Sequence, residues 1–139
     1  MIFDIPDYVE ILIDRLENAG YEGFLVGGSV RDMILGKVPK DYDITTNALP
    51  DQIEDIFSDF RTIDVGKKFG TIVVSQKKGD IEITTFRKEG RYVDGRRPEW
   101  ISFSSKIEDD LSRRDFTINA MAYNKRTGII DFHNGKEDL

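Results

Sequence analysis

The segment Phe24-Leu25-Val26 runs straight into Gly27-Gly28 and then into Ser29-Val30-Arg31-Asp32. Three consecutive apolar residues that stop at paired glycines read as a buried strand entering a tight turn, because glycine takes backbone conformations that a side chain obstructs. Ser29 is then the candidate N-cap of a short helix through Leu35, which Gly36 stops. A strand that feeds a helix through so short a turn belongs to a sheet with the helix folded back over it. The turn also brings backbone N–H groups close to whatever lies above them, and a helix N-terminus favours anions. Arg31, one turn into the helix, adds a guanidinium suited to a triphosphate. On the glycines alone, a plain tight turn with Arg31 paired to a surface carboxylate is the stronger reading.

The remaining pattern predicts alternating helices and strands. Asp7 to Ala19 places Val9, Leu12, Ile13 and Leu16 on one helical face, with Gly20 as a stop. Asp41 to Thr46 alternates and is a candidate second strand. Pro50 to Phe57 reads as a helix with Ile53, Ile56 and Phe57 facing inward. Thr71 to Val74 and Asp80 to Phe86 are strands flanking the turn Lys77-Lys78-Gly79-Asp80. Arg87 to Glu99 dissolves into charge, glycine and proline, a long loop for so small a domain and therefore a candidate functional segment. Ile107 to Tyr123 is helical, as one piece or two, with Leu111, Ile118, Met121 and Ala122 apolar, and Ile129 to Phe132 is a last short strand. The order predicts an α+β (mixed α/β) domain, a small mixed sheet with helices packed on one side.

Length and charge narrow the function. A chain of 139 residues fits one domain, and 39% hydrophobic with 33% charged residues marks a globular protein. No apolar run reaches the roughly 20 residues a membrane helix requires, and Met1-Ile2-Phe3-Asp4 does not open a signal peptide. With no cysteine, disulfides and thiolate metal sites are excluded, and a cytoplasmic location is the expectation. The net charge of −6 is the wrong sign for a surface that grips nucleic acid throughout. Positive charge for such a partner is either local or outside this chain, while acidic residues serve to hold magnesium.

Asp41 and Asp43 are two apart on the second predicted strand, so their side chains leave one face. Two adjacent carboxylates repel unless a cation sits between them, and oxygen ligands of this kind suit magnesium. An isolated Asp-x-Asp triplet is also a common solvated strand end. Glu82 alternates with Ile81 and Ile83, as the solvent face of an amphipathic strand does, and is a further carboxylate candidate. Arg113-Arg114-Asp115 falls at a helical junction with Asn119 four residues on; one arginine faces a phosphate cleft, or the group is a solvated helix end. Gly66-Lys67-Lys68 lacks the remainder of a phosphate loop and reads as a strand turn. His133 is the lone histidine, which argues against histidine zinc chemistry and a Ser-His-Asp triad, and reads as a surface residue.

Taken together, these pieces resemble the tRNA nucleotidyltransferase and poly(A) polymerase family, specifically the bacterial-type (class II) CCA-adding enzymes, from about Tyr21 onward. The marks are Leu25-Val26-Gly27-Gly28-Ser29-Val30-Arg31-Asp32, Lys40-Asp41-Tyr42-Asp43, Glu82-Ile83-Thr84-Thr85-Phe86-Arg87, Tyr92-Val93-Asp94-Gly95-Arg96-Arg97-Pro98, and Glu108 through Ala120. The resemblance implies a polymerase-β-like head over residues 1–139 that joins CMP or AMP, from CTP or ATP, to an RNA 3′-hydroxyl, with tRNA the expected RNA. It implies two magnesium ions on Asp41 and Asp43, with Glu82 as third carboxylate. It further implies triphosphate contacts from Gly27, Gly28, Ser29 and Arg31, and phosphate and ribose contacts from Arg113 or Arg114 with Asp115 and Asn119. Arg87, Arg91, Asp94, Arg96 and Arg97 fall in the family's flexible loop, linked to the handover from C to A addition. Family members continue into neck, body and tail domains that read the base and bind tRNA, which is where the RNA grip is expected.

CCA-adding, CC-adding, A-adding and poly(A)-adding activities are all compatible with these motifs. Outside enzymology, a non-catalytic nucleotide-binding module or a subunit of a split enzyme would keep the turn, although intact Asp41, Asp43 and Glu82 argue for chemistry. A purely structural interaction domain leaves the carboxylates unexplained.

Overall fold

The strand Gly23–Val26 (β1) is buried along its whole length, and its alternating side chains join two different clusters. Leu25 belongs with Val9, Leu12, Ile13 and Leu16 on one side of the sheet; Phe24 and Val26 belong with Phe86, Leu111, Ala120 and Ala122 on the other. A strand apolar on both faces needs cover on both, so the core has two layers.

The computed structural model describes residues 3–89 and 101–139. In chain order they form α1 (Asp7–Asn18), β1, α2 (Gly28–Ile34), β2 (Asp43–Thr46), α3 (Pro50–Ile56), β3 (Arg61–Gly66), β4 (Thr71–Gln76), β5 (Gly79–Thr85), β6 (Arg87–Glu89), β7 (Ile101–Phe103), α4 (Ile107–Ser112), β8 (Ala122–Asn124) and β9 (Gly128–Ile130). Short 3-10 turns lie at Lys67–Phe69 and Thr117–Asn119. Seven strands make one sheet in the order β3-β4-β5-β2-β1-β8-β9, and β6 pairs with β7 separately. Among the described residues only β2 and β5 run parallel; the other neighbours in this sheet are antiparallel. The expected mixed α/β class is therefore present. Helices α1, α2 and α3 supply Val9, Leu12, Val30, Met33 and Ile53 to the first cluster, together on one side as expected, while the six-residue α4 adds Leu111 to the second. No helix among the described residues is long and apolar enough to cross a membrane.

Several boundaries differ from the sequence pattern, each for a physical reason. The predicted helix Ile107 to Tyr123 ends at Ser112, and its last part is strand β8, hydrogen-bonded to β1. Met121, Ala122 and Tyr123 are all fully buried, and a short run buried on both faces carries no period that separates strand from helix. Strand β3, absent from the sequence reading, is a partly exposed edge with a register shift between Asp64 and Gly66. The second strand begins at Asp43, so Asp41 precedes it. Helix α2 begins at Gly28 with Gly27 as its cap at φ 77°; Ser29 lies inside the first turn and donates to the Val26 carbonyl at 3.3 Å. The predicted loop loses Arg87–Glu89 to β6.

Leu111 is fully buried and holds the short α4 against β1 through Phe24 and Val26. Leu111→Ala is expected to destabilise the fold by about 2–5 kcal/mol, read from urea unfolding curves.

Candidate active site

Register decides where the carboxylates meet. Asp43 is the partner of Val26 on β1 and of Glu82 on the parallel strand β5, and Glu82 is in turn the partner of Val73 on β4. Ile44 and Ile83, the next residues along, point into the cluster beneath α1–α3. Asp43 and Glu82 therefore project together from the opposite face, beside Phe24 and Val26. Asp41 reaches the same place from the segment before β2: Asp41, Asp43, Glu82, Asp80, Tyr42 and Val73 line one cavity of about 440 Å³. The pairing predicted for Asp41 and Asp43 is present, although only Asp43 owes its direction to the strand.

This proximity has an electrostatic consequence. The Asp43 carboxyl is raised above its ordinary pKa, first by desolvation, then by the charge of Glu82 and, more weakly, that of Asp41; Arg114 opposes the shift. A carboxylate held against like charges is costly unless a cation joins it. The donors are all oxygen. Among the described residues no three acidic, histidine or cysteine side chains converge into a ready-made cage. That donor set fits magnesium, which takes one or two carboxylates and completes its shell with water and substrate phosphates.

A second cavity of about 460 Å³ adjoins the first through Asp41 and Asp43 and is lined by Gly28, Ser29, Arg31, Asp32, Lys37 and Lys40 among others. The turn is shaped by close approach. A Cβ on Gly28 would lie 3.2 Å from Arg31 Nη2, and one on Gly27 would lie 3.5 Å from Arg114 Nη1. Arg31 donates from Nε to Asp32 Oδ1 at 3.1 Å and from Nη1 to Asn119 Oδ1 at 3.1 Å, tying α2 to the 3-10 turn. Arg113, Arg114, Asp115, Phe116 and Asn119 line a third, smaller cavity of about 240 Å³. Arg114 loses some of its proton affinity to desolvation first and then to the neighbouring Arg113, while Asp110 and Asp43 favour its charge.

The structure thus brings Asp41, Asp43, Glu82, Gly27, Gly28, Ser29, Arg31, Arg114 and Asn119 to one neighbourhood. Arg87 instead anchors β6, donating from Nη1 to the Phe69 carbonyl at 2.6 Å. Arg91, Asp94, Arg96 and Arg97 lie outside the described residues. Lys67 bridges Asp51 at 2.6 Å and Glu54 at 2.7 Å, consistent with a structural turn rather than a phosphate loop. His133 lies 3.3 Å from Ser112 Oγ and is not among the residues that line these cavities. Sequence reasoning assigned no role to Lys37, Lys40, Asp80 or Asp110. Lys40 stands beside Asp41 in the chain, which was a usable signal; Asp110 is spaced three and four residues before Arg113 and Arg114, which was another.

The family described as "Poly A polymerase head domain" matches residues 23–139. A CCA-adding enzyme of Streptococcus suis is 48% identical over 128 residues, covering 92% of this chain and 31% of that protein. The solved Bacillus stearothermophilus CCA-adding enzyme in complex with CTP aligns with a TM-score of 0.80 at 42% identity, covering 96% of this chain and 32% of that one. The Thermotoga maritima CCA-adding enzyme complexed with tRNA aligns at 0.72 and 28% identity, with 96% and 31% covered. The chain spans about a third of the length of these relatives.

Because the raised Asp43 carboxyl penalises the folded state when ionised, Asp43→Asn is expected to raise the melting temperature at neutral pH in the presence of chelator. The linkage runs one way: the gain is full above the raised pKa and vanishes as pH falls below the ordinary carboxylate range. Melting curves at neutral pH and near pH 3 check it.

Proposed function

Because this chain belongs to the poly A polymerase head domain family, we propose that it is the catalytic head of a template-independent RNA nucleotidyltransferase. It transfers CMP and AMP from CTP and ATP to an RNA 3′-hydroxyl, with tRNA as the RNA. The observation that carries the reading is the register of Asp43 with Glu82, directly beside the cavity of the Gly27–Gly28 turn. Relatives carrying the name CCA-adding enzyme, solved with CTP and with tRNA, support the choice of substrates.

In this reading the triphosphate lies over the turn. The first backbone N–H groups of α2 have no acceptor within the helix and face the anion. Arg114, which stands over Gly27 and within electrostatic reach of Asp43, is the arginine we assign to the phosphates. Lys37 and Lys40 line the same cavity and add positive charge there. Asp115 and Asn119 face the ribose from the third cavity. Asp41 and Asp43, with Glu82, would hold two magnesium ions. Bound there, the metal supplies activation of the attacking hydroxyl and neutralisation of charge on the leaving oxygens. The 3′-oxygen forms a bond to the α-phosphorus as the bond to the bridging oxygen breaks; the hydroxyl proton passes to solvent and pyrophosphate departs.

The acidic balance of this chain, −6 overall, supports a reading in which the main tRNA grip comes from outside this region. None of the groups assigned here reads a base. Calorimetry with magnesium is expected to show weak binding of ATP, CTP, GTP and UTP with little preference, and a strong preference for ATP or CTP would put base recognition within this chain. In an enzyme carrying the whole relative length, Asp41→Ala or Asp43→Ala is expected to reduce nucleotide addition to background on tRNA lacking its CCA end. Near-wild-type addition by either variant would remove these residues from the metal site.

A further inference from the structure

Asp110 is a charged side chain with no exposed surface, and it stands between Arg113 and Arg114, the second of which is assigned above to the phosphates. Its Oδ1 accepts from Arg113 Nε at 3.4 Å and its Oδ2 from Arg114 Nη2 at 3.3 Å. The spacing of three and four residues places both guanidinium groups over one carboxylate as the helix ends. A buried carboxylate is tolerated only when paired, and two neighbouring guanidinium groups in a poorly solvated place repel unless an anion separates them.

The platform beneath this carboxylate is fixed on both sides. Leu111, the next residue, is fully buried against Phe24, Val26 and Phe86. Asp109, the residue before, accepts the Ser104 hydroxyl and lies 3.7 Å from Lys88 Nζ, so α4 is tied to the β6–β7 hairpin. Arg114 is held by Asp110 through Nη2, while its Nη1 leans over Gly27. Its Nε is buried without a hydrogen-bond partner. A buried guanidinium N–H without a partner is costly to leave so, and it lies on the side chain that faces the turn.

We propose that Asp110 is a positioning residue: it never touches the nucleotide, and it holds Arg114 in the orientation in which the remaining guanidinium donors meet the triphosphate. The inference rests on the functional reading above, since it presupposes a triphosphate over the Gly27–Gly28 turn.

The test is a double-mutant cycle on affinity, with magnesium and either ATP or inorganic tripolyphosphate as probe, by calorimetry on the whole chain. Asp110→Asn keeps the shape and removes the charge. It is expected to weaken ATP and tripolyphosphate alike by roughly tenfold or more, the size of a lost charge-assisted bond. In an Arg114→Gln background, Asp110→Asn is expected to cost nothing further, which a merely structural role would not produce. Urea unfolding of each variant confirms that the folded protein is being read. If Asp110→Asn does not fold, Asp110→Glu takes its place in the same cycle, with the same lack of added loss expected. Wild-type affinity in the charge-removing variant, or losses that multiply with Arg114→Gln, would overturn the proposal alone. Absence of binding by the wild-type chain would overturn the functional reading and this inference with it.

Discussion

Two carboxylates held in register against their mutual repulsion are the constraint on which this site depends. Asp43 and Glu82 are direct partners across the one parallel strand pair among the described residues, and the backbone ladder leaves neither free to turn to the other face. The sheet absorbs that cost through the burial around it. Ile44 and Ile83, the next residues on each strand, are almost fully enclosed beneath the helices. Slipping either strand by one residue would expose those isoleucines and bury the carboxylates. The apolar pattern of β2 and β5 thus fixes the polar geometry of the opposite face.

The remaining groups are positioned by the same economy of burial. The Gly27–Gly28 turn carries no side chain, so Arg31 and Arg114 can fold over it. Arg31 reaches Asn119 across the gap between α2 and the 3-10 turn, joining residues 88 apart in the chain. Arg114 is aligned from behind by the buried Asp110. Acidic floor and basic wall face one another in adjoining cavities, an arrangement matched to a phosphate chain that bridges cations on one side and guanidinium groups on the other.

Much of this was legible in the amino-acid order. The buried face of α1, with Val9, Leu12, Ile13 and Leu16, follows from helical spacing, and the glycine pair from the abrupt end of an apolar run. Strand β8 was not legible: Met121 to Tyr123 is apolar at every position, so only the free edge of β1 decides that it pairs as strand. Strand β3 went unread for a different reason: its alternation is only two apolar residues long, Ile63 and Val65, and as a partly exposed edge it stays mostly unburied. At the site, alternation anticipated that Asp41 and Asp43 share a face, although Asp41 reaches it from the segment before the strand. The part played by Asp110 needed the third dimension, because a carboxylate beside two arginines in sequence looks the same whether it is solvated or enclosed.

In the proposed reading Asp43 and Glu82 form one cation site on this face of the sheet. Paramagnetic broadening by Mn²⁺, followed in an amide NMR spectrum of the chain, reports on it most directly. The first signals lost are expected to be those of residues 41–43 and Glu82, and Asp43→Asn is expected to abolish the effect. Broadening that begins instead among the acidic residues of α1, or that survives in Asp43→Asn unchanged, would contradict it.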